Sequence, residues 1–313
     1  MKTLSCLLLS FFLCTPAFAG LIRHDTADDQ YTGFANNPAF ASVGLLLGYG
    51  AEGEYSCSGT IIHEKWVLTA GHCLTNASAM SFALPTNDGN DWRFYEPSSW
   101  VTHENFSMQG HLDGWDIGLV GFDGDFTTTP AQLYTGESEL FSVIASVGFG
   151  VTGNGETGVT HADYKRRGGI NMIDDTWSTQ GTGDQILWAD FDHPTDASFN
   201  SLDIPGYTFD DFALELEYLT ASGDSGGGLF IEEEGQLYLA GVHSFSSSSP
   251  IDGSSKYGDV YGSTRVNRFI DWISGNTQSS IVPEPGGMIL LTMSILALGF
   301  GRRRANEHRH FNK

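Results

Sequence analysis

Ser222-Gly223-Asp224-Ser225-Gly226-Gly227-Gly228 is the stretch that decides the reading of this chain. A serine hydroxyl is a weak nucleophile until a neighbouring base takes its proton. The glycines around Ser225 let the backbone turn sharply and present N–H groups to a developing oxyanion. Taken alone, such a run is more often a loop than an active site. Two further stretches supply what a serine nucleophile needs. Trp66-Val67-Leu68-Thr69-Ala70-Gly71-His72-Cys73 offers an imidazole, and Trp115-Asp116-Ile117-Gly118-Leu119-Val120 offers a carboxylate to hold its tautomer.

The surroundings point to β structure. Val43 to Leu47, Gly59 to Ile62, Trp66 to Thr69, Ile117 to Phe122, Phe141 to Gly148, Gly228 to Ile231 and Leu237 to His243 read as short strands. Gly, Asn, Asp and Ser clusters separate them, a pattern that suits a barrel or a sandwich. Arg265 to Ile273 has apolar residues at 266, 269, 270 and 273, a helical spacing, with Gly275 placed to stop it.

The ends read differently from the body. Met1 to Ala19 has a basic start at Lys2, an apolar middle and Ala17-Phe18-Ala19 before a cleavage site, the pattern of a secretory signal peptide. It takes Cys6 and Cys14 with it and leaves Cys57 and Cys73 in a compartment where disulfides form. Residues 275–282 read as a linker. Pro283-Glu284-Pro285 then precedes an uncharged stretch to Phe300 and Arg302-Arg303-Arg304, with a tail over 305–313. The apolar stretch predicts a transmembrane segment, and the arginines would leave the main domain outside the cytoplasm.

Of 313 residues, 15 are basic and 38 acidic, a net charge of -23; over 20–282 the balance is near -27, with 9 basic residues against 36 acidic. Phosphate binding needs clustered Lys and Arg, so nucleic acid is excluded as a partner. The 40% hydrophobic content supports a packed core rather than global disorder.

Taken together and in this order, the three stretches resemble the T-A-x-H-C, D-I-x-L and G-D-S-G-G signatures of the trypsin/chymotrypsin family of serine proteases. The resemblance covers roughly residues 40 to 274, with 150 to 210 matching poorly, and places the protease domain at 20–274. It implies an all-β fold of two antiparallel six-stranded β-barrels with a short C-terminal helix. It also implies His72 as general base, Asp116 as its orienter, Ser225 as nucleophile and the Gly223 and Ser225 N–H groups as an oxyanion hole. Ser244 falls where the family has a serine bonded to the triad aspartate, and Cys57 and Cys73 match its histidine-loop disulfide. A protein or peptide substrate follows, with no cofactor and no metal; Asp190, Asp192 and His193 match no strong ligand spacing. A catalytically silent matrix or adhesion module is the alternative.

Departures from the family concern activation and specificity. Family zymogens are cut before Ile-Val-Gly-Gly, and the new amino group pairs with the aspartate preceding the nucleophile. Asp224 is present and Ile-Val-Gly-Gly is not, so the amino group of Gly20 after signal-peptide removal, or Arg23, is expected to compensate it. Leu219 stands where trypsins carry a pocket aspartate, and Ala221 replaces a pocket cysteine. His243 sits where glutamyl endopeptidases of this superfamily place a histidine, with Ser222 and Ser246 at assisting hydroxyl positions. Asp259 lies where a few members use an acid to hold Lys or Arg. The expected preference is glutamate first and basic side chains second. Lys165-Arg166-Arg167 reads as a solvated basic turn, with a self-cleavage loop as the other reading. The 283–304 segment resembles the PEP-CTERM sorting signal of Gram-negative bacteria. It implies exosortase-type machinery as a partner and delivery to the cell surface or extracellular matrix, with transient anchoring in the inner membrane.

Overall fold

The computed structural model describes residues 20–86, 91–202, 212–247 and 255–278. The signal-peptide pattern at 1–19 and the sorting-signal pattern at 283–304 lie outside them. Among the described residues no helix is long and apolar enough to cross a membrane.

Two curled antiparallel sheets carry the chain. The first runs, in spatial order, through Trp92–Tyr95, Ala77–Pro85, Val43–Gly50, Gly53–His63, Trp66–Thr69, Gly118–Gly121 and Ser99–Thr102. The second runs through Arg167–Met172, Val143–Gly148, Gly228–Glu233, Gln236–Ser247, Val260–Arg265, Ile186–Asp190 and Asp175–Thr176, with Gln132–Leu133 added in parallel on Gln236–Ser247. The expected six strands per barrel become seven and eight here, because short edge strands extend each sheet. Along Val43–Gly50 nearly every residue is buried, so its run of leucines packs on both faces rather than alternating. The core of the second sheet joins Ile144, Ile173, Leu187, Leu229, Ile231 and Ala240.

A third, small sheet sets the start of the chain. Leu21–Ile22 lies parallel to Thr152–Asn154 and antiparallel to Tyr218–Leu219, pairing Leu21 with Leu219. Helix Asp28–Ala35 follows, an element the strand-rich reading does not anticipate. It is held by Arg167, which is 1% exposed and binds Asp28 and Asp163 bidentately at 2.6–3.0 Å. Arg166 donates to the Phe40 and Val43 carbonyls. Of Lys165-Arg166-Arg167 only Lys165 is solvated as expected: both arginines lace the N-terminal segment to the second sheet.

The C-terminal pattern forms a 3₁₀ turn, Val266–Phe269, leading into helix Ile270–Thr277. Gly275 lies inside this helix instead of ending it. Arg265, at the end of its strand, forms a buried bidentate pair with Glu139.

Candidate active site

His72 and Asp116 meet where the first sheet ends. His72 lies in the 3₁₀ turn Gly71–Cys73 after strand Trp66–Thr69, and Asp116 stands two residues before the neighbouring strand Gly118–Gly121. Asp116 accepts two bonds from His72, from the backbone N at 2.8 Å and from ring Nδ1 at 2.7 Å. The Ser244 hydroxyl donates to the same carboxylate oxygen as the ring, and Thr264 Oγ1 donates to the Asp116 carbonyl at 2.8 Å. Two strands of the second sheet thus grip an aspartate of the first.

This packing sets the charges. Burial works against both ionised forms, yet the Asp116 charge and hydrogen bond raise His72 above its ordinary value of 6.5. Burial likewise pushes Asp116 up, but the His72 charge and donors from His72 and Ser244 outweigh it and hold the carboxyl below the usual range. Asp116 is therefore ionised with Nδ1–H fixed on it, which leaves Nε2 of His72 as the basic nitrogen.

Ser225 arrives on the loop before strand Gly228–Glu233. Its carbonyl accepts from Ser58 N at 2.7 Å, and the Cys73 sulfur, next to His72 in sequence, lies 3.7 Å from that carbonyl. Cys57 and Cys73 are joined in a disulfide that ties the His72 turn to strand Gly53–His63, as the resemblance implies. Gly223 and Gly226 have φ of 92° and 83°, where a side chain would be strained. Ser58 Oγ pins the loop by donating to the Gly223 carbonyl at 2.8 Å. Asp224, Gly226 and Gly227 donate their N–H groups to backbone carbonyls, whereas among the described residues those of Gly223 and Ser225 donate to none. Two free N–H groups on a serine loop that lies against the turn carrying the imidazole are of the kind that can stabilise an oxyanion.

Beside Ser225 opens a pocket of about 250 Å³, walled by Thr220–Ser222 on one side and His243–Ser246 on the other. Ser222, His243, Ser244 and Ser246 of the expected specificity residues line it. Leu219 and Asp259 do not. Leu219 is wholly buried against Leu21, Phe191 and Tyr261, because it belongs to the strand that pairs with the start of the chain. Asp259, 2% exposed, turns its carboxylate back to accept from Lys256 N at 3.0 Å, closing its own turn. His243 is also buried; its Nδ1 lies 3.0 Å from Ser263 Oγ, and its Nε2 has no hydrogen-bond partner among the described residues. Burial, offset only in part by the Gly228 carbonyl, pulls its imidazole down to about 3, so it is neutral in the free protein.

Four contributors escape the sequence reading: Ser58, Thr264, Ser263 and Tyr261. The Tyr261 ring meets His243 edge-on at a centroid distance of 6.2 Å and belongs to the same buried cluster as Leu219. A lone hydroxyl or aromatic on a strand carries no local signal, whereas glycine runs do.

Comparison with known proteins agrees with this geometry. Over 240 residues the chain is 27% identical to trypsin-1 of Astacus astacus, spanning 70% of this chain and 87% of that protein. It is also 27% identical over 237 residues to the alpha-fibrinogenase albofibrase of Trimeresurus albolabris, spanning 72% and 81%. The solved structure of HL collagenase superposes with a TM-score of 0.55 at 20% identity, covering 80% of this chain and 96% of that one, a likeness of fold. The family model for trypsin matches residues 37–273. With the chymotrypsin-like pair of sheets already described, the chain belongs to the trypsin family of serine peptidases.

Proposed function

We propose that this protein is an active serine endopeptidase with a preference for glutamate on the acyl side of the cleaved bond. The observation that carries the activity is the Asp116–His72 pair, locked by Ser244 and Thr264, beside a serine loop with two unused N–H donors. Ser225 Oγ attacks the scissile carbonyl carbon as Nε2 of His72 takes its proton. The carbonyl oxygen becomes an oxyanion bound by the Gly223 and Ser225 N–H groups. His72 then gives its proton to the amine as the C–N bond breaks, leaving an acyl-enzyme on Ser225. Water, deprotonated by the same imidazole, releases the acid. Asp116 stays ionised throughout.

The glutamate preference rests on the pocket wall. The hydroxyls of Thr220, Ser222 and Ser246 and the His243 imidazole in the wall behind them suit a desolvated carboxylate, while the Ser244 hydroxyl is committed to Asp116. Asp259, the residue that would favour Lys or Arg, lies apart from that wall.

We infer further that removal of residues 1–19 activates the enzyme. Asp224 is fully buried, and burial pushes its carboxyl up to about 6 despite donors from Ala221 N, Gly150 N and Tyr218 Oη. Gly20 stands against that Tyr218 hydroxyl, so close that a Cβ on it would lie 1.9 Å from Oη. Its freed amino group is the natural cation for Asp224. Arg23 is engaged elsewhere, with Asp25 and the Leu214 carbonyl. Export and surface sorting remain part of the proposal on the strength of the end patterns alone.

A mixed peptide library tests the assignment, with Ser225→Ala as the blank. Cuts after glutamate that are absent from the blank support it. Equal cleavage by the Ser225→Ala protein overturns the mechanism, and cuts after Lys or Arg overturn the pocket reading. A processed chain that binds peptides without cutting them favours the adhesion-module alternative.

A further inference from the structure

Three metal-binding side chains that the proposed reaction does not use converge near the start of the chain. His24 follows strand Leu21–Ile22, Glu156 sits on the turn between Thr152–Asn154 and Gly158–His161, and His193 follows strand Ile186–Asp190. One ligand atom of each lies within 4.8 Å of the others, with His24 Nε2 3.5 Å from Glu156 Oε1. The other such grouping, Cys57, His72 and Cys73, holds no ion because its sulfurs are bonded to each other.

We propose that His24, Glu156 and His193 form a site for a divalent transition ion of the zinc class, with water as the fourth ligand. Two imidazoles and one carboxylate are a borderline donor set that suits zinc, whereas calcium and magnesium take oxygen ligands. Ligands around tetrahedral zinc at ~2.0–2.1 Å sit about 3.3 Å apart, so no pair here needs to close by more than about 1.5 Å. His24 and Glu156 are exposed, which leaves them free to close and leaves an entry path and a place for water.

The surroundings orient these groups as outer-shell partners do. Tyr257 Oη lies 2.8 Å from His24 Nδ1 and also accepts from His24 N at 2.9 Å, which turns Nε2 towards Glu156. Asn154 Oδ1 accepts from Glu156 N and fixes the turn. The His193 ring is stacked on Phe199 at 5.3 Å and meets Tyr257 edge-on at 4.6 Å. Its Nδ1 accepts from Thr195 N at 3.1 Å, with Thr195 Oγ1 at 3.5 Å. With Nε2 as ligand the ring proton moves to Nδ1, which breaks the Thr195 N–H bond and leaves Thr195 Oγ1 as the acceptor. The ion clamps the segment that follows Gly20 to two loops of the second half of the chain.

The test is calorimetric titration of the full-length Ser225→Ala protein with Zn²⁺, which avoids self-digestion. Glu156→Gln and His193→Asn are expected to remove one equivalent or weaken it at least tenfold, while His72→Ala leaves it intact. Cobalt is expected to give the intense visible bands of a tetrahedral site, absent in the same two variants. The tail residues His308 and His310 are present in every variant and serve as the internal control. Because Glu156 is exposed, its exchange decides the matter if His193→Asn fails to fold. The proposal falls if the parent binds no zinc, if both the stoichiometry and the affinity survive Glu156→Gln, or if His72→Ala removes the same equivalent.

Discussion

The Asp116 carboxylate accepts from His72 N, His72 Nδ1 and Ser244 Oγ, and its proposed role separates geometry from charge. An Asp116→Asn exchange keeps the shape and lets the amide donate, so His72 takes the wrong tautomer. We expect kcat to fall by about 10⁴ with little change in melting temperature, the size this exchange has in Ser-His-Asp enzymes. The sign of the pH dependence follows from His72. Only the neutral imidazole is a base, and its value is raised above 6.5, so kcat/KM climbs with pH through a limb above that point. Stopped-rate assays across pH 5 to 9 check this; a limb below 6.5 contradicts the observed His72–Asp116 pairing. At this scale the sequence is most legible where the chemistry demands a residue type. His72, Asp116 and Ser225 can be singled out as candidates because a nucleophile, a base and an orienter have few substitutes. Thr264 and Ser58 cannot, since many polar groups could have filled the bonds they make. Leu219 and Asp259 show the limit from the other side: position along the chain does not say which way a side chain faces.

At the scale of elements, the N-terminal segment has the most to lose. Arg167 joins helix Asp28–Ala35 to the second sheet through two carboxylates. Removing one partner of a buried pair typically costs 3–5 kcal/mol, and Asp28, 42% exposed, is partly resolvated when orphaned. Arg167→Ala is therefore expected to lower stability by about 3 kcal/mol, measured by urea unfolding. Asp224 gives this segment a second signature. Its folded value, near 6, exceeds the ordinary 3.8, so a chain still joined to residue 19 keeps this stability below about pH 4 and loses it as pH rises through 6. Ionising a carboxyl held that far above its ordinary value costs the folded state about 3 kcal/mol. A chain beginning at Gly20 escapes that loss through its amino group. Melting curves of the two forms at pH 4 and pH 7 are expected to diverge only at the higher value. The strands around the site were legible because apolar runs alternate with turn clusters. Helix Asp28–Ala35 was not, because only Tyr31 and Ala35 of its eight residues are buried and a tertiary ion pair holds it. Gly275 misleads for a related reason: a glycine ends a helix only where the chain needs a positive φ.

For the whole molecule, the net charge of -23 acts at long range. Peptides carrying several lysines outside the cleaved bond are drawn in and acidic ones repelled, both effects fading within a Debye length of about 10 Å at 0.1 M salt. Raising salt from 0.02 to 0.5 M should lower kcat/KM for cationic peptides severalfold and raise it for anionic ones; equal responses would refute steering. Such steering is compatible with the proposed glutamate preference, since the pocket would act by contact and the surface by field. The few cations the domain does carry are placed with a further result. Trypsin-like enzymes cut after exposed Arg and Lys in extended, accessible chain. Here the densest basic run, Lys165-Arg166-Arg167, has Arg167 sealed beneath a helix and Arg166 bonded to main-chain carbonyls. The two arginines that hold the N-terminal segment in place are thus withheld from any peptidase that cuts after Arg, and of this run Lys165 alone stands open to attack.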